Sequence, residues 1–275
     1  MALTTEFESF DLSPRIGTEI RATKADLLSG DYREEIRDLL ERRGILLFRE
    51  TGMTDEEQMV FSRTIGDVFE QGSDGIFRVT LDRSVTPEAD YLEATVNWHI
   101  DAAHHVTPTR ASILIARVME PDGGRWTEFA NTYAAYEDLS PEKKEWAENQ
   151  RVLHSQVYLQ SSFYKDPSPE LAAHWLTHPE QEHPLVWTHR SGRKSLLLGR
   201  SAGRIVGMDE EESARIIDEL HDWASQPQFV YRHHWTIGDM IIWDNTGVMH
   251  RVEPYRADSG RLLSRTTLLG EEPVA

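Results

Sequence analysis

The residues able to do chemistry in this 275-residue chain are histidines, carboxylates and arginines, because it contains no cysteine. Disulfides, thiolate catalysis and cysteine-ligated zinc are excluded, so any metal must be held by imidazole and carboxylate, a donor set suited to the harder metals. The tightest such spacing is His99-Ile100-Asp101. In an extended strand, side chains two apart share a face, so this imidazole and carboxylate would point the same way and chelate one ion. The pair is not diagnostic by itself. With 12 histidines and 47 acidic residues, a His-x-acid triplet arises by chance roughly twice, and His178-Pro179-Glu180 is a second instance. The alternative reading of such a pair is a surface ion pair. In a strand from Arg261 to Thr267, Arg261, Leu263 and Arg265 would share a face, bringing together two guanidinium groups that need an anion if buried.

A second block sets these residues in order. Trp243-Asp244-Asn245 precedes His250, and Arg261 follows that histidine by eleven residues. Together with the His99/Asp101 pair, this arrangement resembles the taurine dioxygenase and 2,4-dichlorophenoxyacetate dioxygenase (TauD/TfdA) family of Fe(II)/2-oxoglutarate-dependent dioxygenases. The likeness extends through Leu46–Phe48, Gly124–Tyr136, His183–Leu198 and Phe229–Gly270, most of the chain. The resemblance implies that His99, Asp101 and His250 form a facial triad for Fe(II), leaving three positions open. It assigns Arg261 to the distal carboxylate of 2-oxoglutarate, in a planar bidentate pair. Thr127 is assigned to the same co-substrate, and Arg265 to it or to an acidic group of the substrate. Ion pairs with Asp258 or Glu253 are the alternative for the arginines.

Two departures from the family pattern bear on the site. Gly123-Gly124-Arg125-Trp126-Thr127 carries one residue more than the usual Gly-Gly-x-Thr. After Asp101 the chain reads Ala102-Ala103-His104-His105 instead of small hydroxyl residues and Phe. Asn97, His104 and His105 are therefore candidate substrate contacts. The two histidines could also compete as ligands or form a wet loop. His233 and His234 should fall on opposite faces of a strand, and His154 and His189 are read as structural. The implied reaction consumes O2, releases succinate and CO2, and hydroxylates a small organic acid. Hydroxylation beside an ether or similar carbon would cleave that bond. Asp101 favours hydroxylation over halogenation, since related halogenases carry a small residue there. A cupin-like metalloenzyme that does not use 2-oxoglutarate and a non-catalytic ligand-binding protein on the same scaffold are the competing classes.

The elements that must position these groups are mostly short and β-type. Helical spacing of Tyr32, Ile36, Leu39 and Leu40 predicts a helix over Asp31–Arg43, stopped by Gly44 before a strand at Ile45–Phe48. Thr54 caps a second helix, and Asp209 caps a third over Glu210–Ala224 with Ile216, Ile217, Leu220 and Trp223 as its apolar stripe; a further helix is expected around Pro141–Asn149. Strands are expected at Phe77–Thr80, Ala94–Asp101, Ala111–Met119, Thr127–Ala130, Ser195–Leu198, Phe229–Trp235, Met240–Trp243 and Leu262–Leu269. This is an α+β pattern, a double-stranded β-helix (jelly-roll, cupin-like) core with flanking helices. No linker divides it, so one domain over 1–275 is expected. A lid-like insert over about 156–183 carries Tyr158, Phe163, Tyr164 and Trp175.

A net charge of −18, with basic residues scattered, points away from nucleic acid and anionic membranes and toward a small-molecule substrate. Neither a leader-like nor a membrane-spanning stretch is evident, so a cytoplasmic protein is expected. An acidic monomer and a homo-oligomer both remain open.

Overall fold

Every residue of the strand Ile45–Phe48 is buried, and alternate side chains enter different cores. Leu46 and Phe48 join Ile113, Ile115, Met240 and Ile242 on one face. Ile45 and Leu47 join Leu114, Ile241, Trp243 and Leu263 on the other. Period-two alternation with both faces buried explains why these strands read as unbroken apolar runs. The computed structural model describes residues 7–72, 74–87, 89–119 and 126–275.

The larger sheet runs Glu8–Asp11, Thr18–Arg21, Ile45–Phe48, Met240–Asp244, Ala111–Val118, Leu262–Leu268, with Val68–Phe69 and Phe77–Val79 along the outer edge. Among the described residues, only the Thr18–Arg21 and Ile45–Phe48 pairing is parallel in this sheet. One face is covered by Leu27, Ile36, Leu40, Phe61 and Ile65, from the helices Lys24–Ser29, Arg33–Arg43 and Asp55–Ile65. The other packs on a smaller antiparallel sheet, ordered Val230–His234, Trp126–Asn131, Val248–Val252. Phe129 and Val248 of that sheet enter the shared core. Its Ala130 and Met249 face outward, into a third core with Ile217, Leu220 and Ala224 of the helix Glu210–Ala224. These two facing sheets form the jelly roll, with helices outside it, and the α+β expectation holds. Among the described residues no helix is long and apolar enough to cross a membrane.

The capping signals hold where local chemistry decides. Gly44 adopts φ 76° after Arg43 and ends that helix, which begins at Arg33 rather than Asp31. Thr54 and Glu57 form a reciprocal capping box. Asp209 accepts from Glu211 and Glu212 at the start of Glu210–Ala224, and Ser140 caps Pro141–Glu148.

The main correction concerns Ala94–Asp101, which is not a strand. The helix Asp90–Glu93 continues as a 3-10 turn over Ala94–Val96, Asn97 becomes extended, and only one β-bridge forms, between His99 and His250. The Trp98 carbonyl accepts from Arg200 N at 2.8 Å, so a loop takes up the backbone group that a ladder would have used. The strand expected from Arg261 begins at Leu262, with a register shift before Leu263. Gly123, Gly124 and Arg125 of the extra-residue loop lie outside the described residues.

Candidate active site

His250 lies in the middle of Val248–Val252, opposite Phe129 in the ladder, and exchanges both backbone hydrogen bonds with His99 on its free side. The two imidazoles are thereby set side by side, ring centroids 4.1 Å apart. Asp101 reaches them from a turn. The residue after it, Ala102, takes a left-handed φ of 57°, an arrangement that costs a non-glycine residue about 1–2 kcal/mol. The Nε2 atoms of His99 and His250 lie 3.9 and 3.8 Å from Asp101 Oδ1. These distances are too long for hydrogen bonds. One ligand atom from each of the three residues falls within 4.8 Å of the others.

The surroundings fix both protonation and orientation. His99 Nδ1 lies 2.8 Å from the Asn97 carbonyl; a carbonyl only accepts, so Nδ1 carries the proton and Nε2 presents its lone pair. His250 packs against Trp243, with ring centroids 4.7 Å apart, and its Nδ1 has no hydrogen-bond partner among the described residues. Burial pushes both imidazoles down, His250 well below the ordinary histidine range. Burial alone would raise Asp101, but the Arg265 guanidinium, together with the Ser112 hydroxyl, outweighs it and holds the carboxyl below the ordinary carboxylate range. Two neutral imidazoles and one carboxylate converging in a buried space are the donor set of a divalent metal.

The Trp-Asp-Asn turn braces this group. Trp243 Nε1 donates to Asn245 Oδ1 at 2.8 Å, Asn245 Nδ2 donates to Ser112 Oγ at 3.0 Å, and Ser112 donates to Asp101 Oδ2 at 3.0 Å. Asp244 is occupied by Arg110 at 2.6 Å.

The triad separates two cavities. The small one, about 50 Å3, is lined by His99, His250, Thr127, Tyr255, Arg261 and Arg265 among others. Arg261 is 1% exposed, stacks 4.4 Å over the Tyr255 ring, and burial pushes its guanidinium below the usual value. Thr127 Oγ accepts from Trp235 Nε1 at 2.9 Å. Asp258, an alternative partner, pairs instead with Arg256, whereas Glu253 does contribute to the field at Arg261. The large cavity, about 580 Å3, takes in Asp101, Tyr91, His104, Gln160, Tyr164 and Trp175. Arg265 borders both cavities and lies 3.6 Å from Asp101 Oδ2.

The residues singled out in the sequence are thus brought together, with exceptions. Asn97 gives its side chain to Ser162 Oγ at 2.9 Å and its carbonyl to His99, and it borders neither cavity. His104 and His105 border the large cavity, but His105 is mostly exposed. His178, in the second His-x-acid triplet, is exposed, as is Glu180. His233 is buried against Asp239 and His234 is exposed, as alternation requires. His154 and His189 are held by Ser201, and by Ser195 and Glu272. Tyr255 and Ser112 were missed: Tyr255 stands among the charged residues Glu253, Arg256 and Asp258 of a loop with no periodic pattern, and Ser112 lies within an apolar strand.

Fold and site together define the chain as a member of the taurine catabolism dioxygenase TauD, TfdA family, whose pattern matches residues 8–267. It is a 2-oxoglutarate-dependent dioxygenase. It is 33% identical over 264 residues to the alpha-ketoglutarate-dependent 2,4-dichlorophenoxyacetate dioxygenase of Burkholderia sp. (strain RASC), covering 86% of each chain. It is 31% identical over 279 residues to the (S)-phenoxypropionate/alpha-ketoglutarate-dioxygenase of Sphingobium herbicidovorans, covering 96% of each. Its structure matches that of AAD-2 in complex with Mn(II) and N-oxalylglycine with a TM-score of 0.83 at 29% identity, over 98% of this chain and 100% of that one.

Proposed function

We propose that His99, Asp101 and His250 hold iron(II), that Arg261 and Thr127 bind the distal carboxylate of 2-oxoglutarate in the small cavity, and that a small organic acid occupies the large one. The observation that carries this reading is the position of the triad between the two cavities, with the buried cation Arg261 in the smaller. Iron, 2-oxoglutarate and O2 together supply an oxidant able to replace a substrate C–H by C–OH, with succinate and CO2 as by-products.

The chain's own residues decide what is oxidised. Arg261 offers a planar fork that orients a carboxylate as well as attracting it. Arg265, bordering both cavities, is available to the acid group of the substrate or the inner end of the co-substrate. Tyr91, Tyr164, Trp175 and Phe69 give the large cavity an aromatic wall, which suits an aryl or alkyl acid and excludes water from the reacting carbon. His104 is one of the polar groups bordering that cavity, burial pushing its imidazole down to about 4. Residues 156–183 serve as the lid, all within a single domain over 1–275. The phenoxy acids named for both curated relatives make hydroxylation beside an ether oxygen, followed by collapse of the product, the leading chemistry.

The test is an anaerobic titration of the metal-free protein with iron(II) and 2-oxoglutarate, following the visible charge-transfer band of the chelate, in wild type, His99→Ala and Arg261→Ala. A band in wild type, lost or weakened in the variants, supports the assignment and leads to succinate-release screening with aryloxy acids. Iron uptake without a band overturns the co-substrate assignment.

A further inference from the structure

Asn97 stands between the lid segment and the metal-facing histidine, and each of three polar groups has a defined task. Its backbone N–H closes the 3-10 turn on the Ala94 carbonyl at 3.0 Å. Its carbonyl accepts from His99 Nδ1 at 2.8 Å. Its side-chain amide donates to Ser162 Oγ at 2.9 Å. The Ser162 hydroxyl proton is itself committed to the Leu159 carbonyl at 2.6 Å, so the oxygen lone pair faces Asn97 and the side-chain orientation is fixed.

Two further bonds run beside this one. Gln160 Nε2 donates to the Tyr91 carbonyl at 3.3 Å, and the Tyr164 hydroxyl donates to Glu93. Three side chains from residues 160–164 therefore grip residues 91–97, the stretch that leads directly into His99. If the helix Gln156–Ser161 moves off the cavity, it must break these bonds or carry residues 91–97 with it. Carrying them would rotate the Asn97 carbonyl, the group that sets the His99 ring. On the opposite side the His99 backbone is held by the bridge to His250, and its ring packs against the His250 ring.

We propose that Asn97 and Ser162 are positioning residues that couple seating of the lid helix to the orientation of His99, so that lid closure and metal binding stabilise one another. This rests on the assignment of His99 as a metal ligand. A partner of a metal-bound histidine sets ring orientation and tunes affinity, and linkage requires the effect to be reciprocal: whatever the seated lid adds to metal affinity, the metal returns to lid seating.

The experiment uses the full chain and Mn(II) as probe. Dissociation constants come from the electron paramagnetic resonance of free Mn(II), and amide exchange of residues 156–164 is followed with and without metal. In wild type, Mn(II) should slow exchange in that segment. Ser162→Ala should weaken Mn(II) binding by about five- to tenfold and abolish the metal-dependent protection, although Ser162 is no ligand, and Ser162→Thr, which keeps the hydroxyl, should restore both. An affinity within about twofold of wild type in Ser162→Ala, or lid exchange indifferent to metal, overturns the coupling alone. No Mn(II) uptake by wild type overturns the metal assignment and the coupling with it.

Discussion

At the scale of single residues, the site is a set of charges whose states are imposed by neighbours. Asp101 stays ionised because Arg265 and the Ser112 hydroxyl outweigh its burial, and the histidines stay neutral because they are buried. The Ser112 hydroxyl is the junction of this arrangement, donating to Asp101 and accepting from Asn245. Ser112→Ala should therefore leave one Asn245 amide N–H without its partner, the other still donating to Thr109, and free the carboxylate, weakening metal affinity by about tenfold, measured by titration of the metal-free protein; an unchanged affinity would show that the brace has no role in ligand placement. Arg261 governs a different parameter. Arg261→Ala removes the small cavity's anchor, and the KM for 2-oxoglutarate should rise by about 30-fold or more, equivalent to at least about 2 kcal/mol. Arg261→Lys should recover only part of this, since a point charge lacks the planar fork. Succinate formation across a range of co-substrate concentrations measures both, and a KM unmoved in Arg261→Ala sinks the assignment.

At the scale of elements, legibility followed the range of the interactions. Helices fixed by local chemistry were readable: Gly44 ends Arg33–Arg43, and Thr54 starts Asp55–Ile65. Strands buried on both faces, such as Ile45–Phe48 and Met240–Asp244, were readable from their apolar runs. The extended segment around His99 was not, because its one bridge and the Arg200 contact depend on residues over 100 positions away. His99 and Asp101 do converge, but through a turn with a left-handed Ala102 rather than through strand alternation. The strand Val248–Val252, which carries His250, was missed because it is short and its buried half ends on a histidine that only the tertiary fold makes an inward residue. The family motifs located that histidine where periodicity did not. The Thr54 cap allows a direct check. Thr54→Ala removes the acceptor for Glu57 N and should cost about 1 kcal/mol in denaturant unfolding with an unchanged m-value. The proposed metal site should be untouched, since Asp55–Ile65 lies against the outer face of the large sheet.

At the scale of the molecule, the interior holds several histidines that the proposed chemistry does not use, and they set how the fold responds to acid. His154 is fully buried and desolvation pushes it down to about 3, helped by neighbouring His183, His104 and His221. His221 is held at about 4 by burial and then by Arg200. In the unfolded chain both would titrate near 6.5. Between about 6.5 and the folded values, the unfolded chain binds protons that the folded one refuses. The stability associated with their neutral state is thus fully present above about pH 6.5 and is lost progressively as pH falls toward 3–4, at up to about 1.4 kcal/mol per pH unit for each histidine. Carboxylates held low, such as Asp101, contribute with the same sign but only below about pH 4, so the window from 6.5 to 5 isolates the histidines. Metal-free protein unfolded by denaturant at successive pH values should lose stability across that window, and His154→Gln should show a shallower slope than wild type while being less stable at pH 7. Equal slopes in the two proteins would place the acid sensitivity elsewhere, among the other buried histidines His99, His183, His189, His221, His233 and His250.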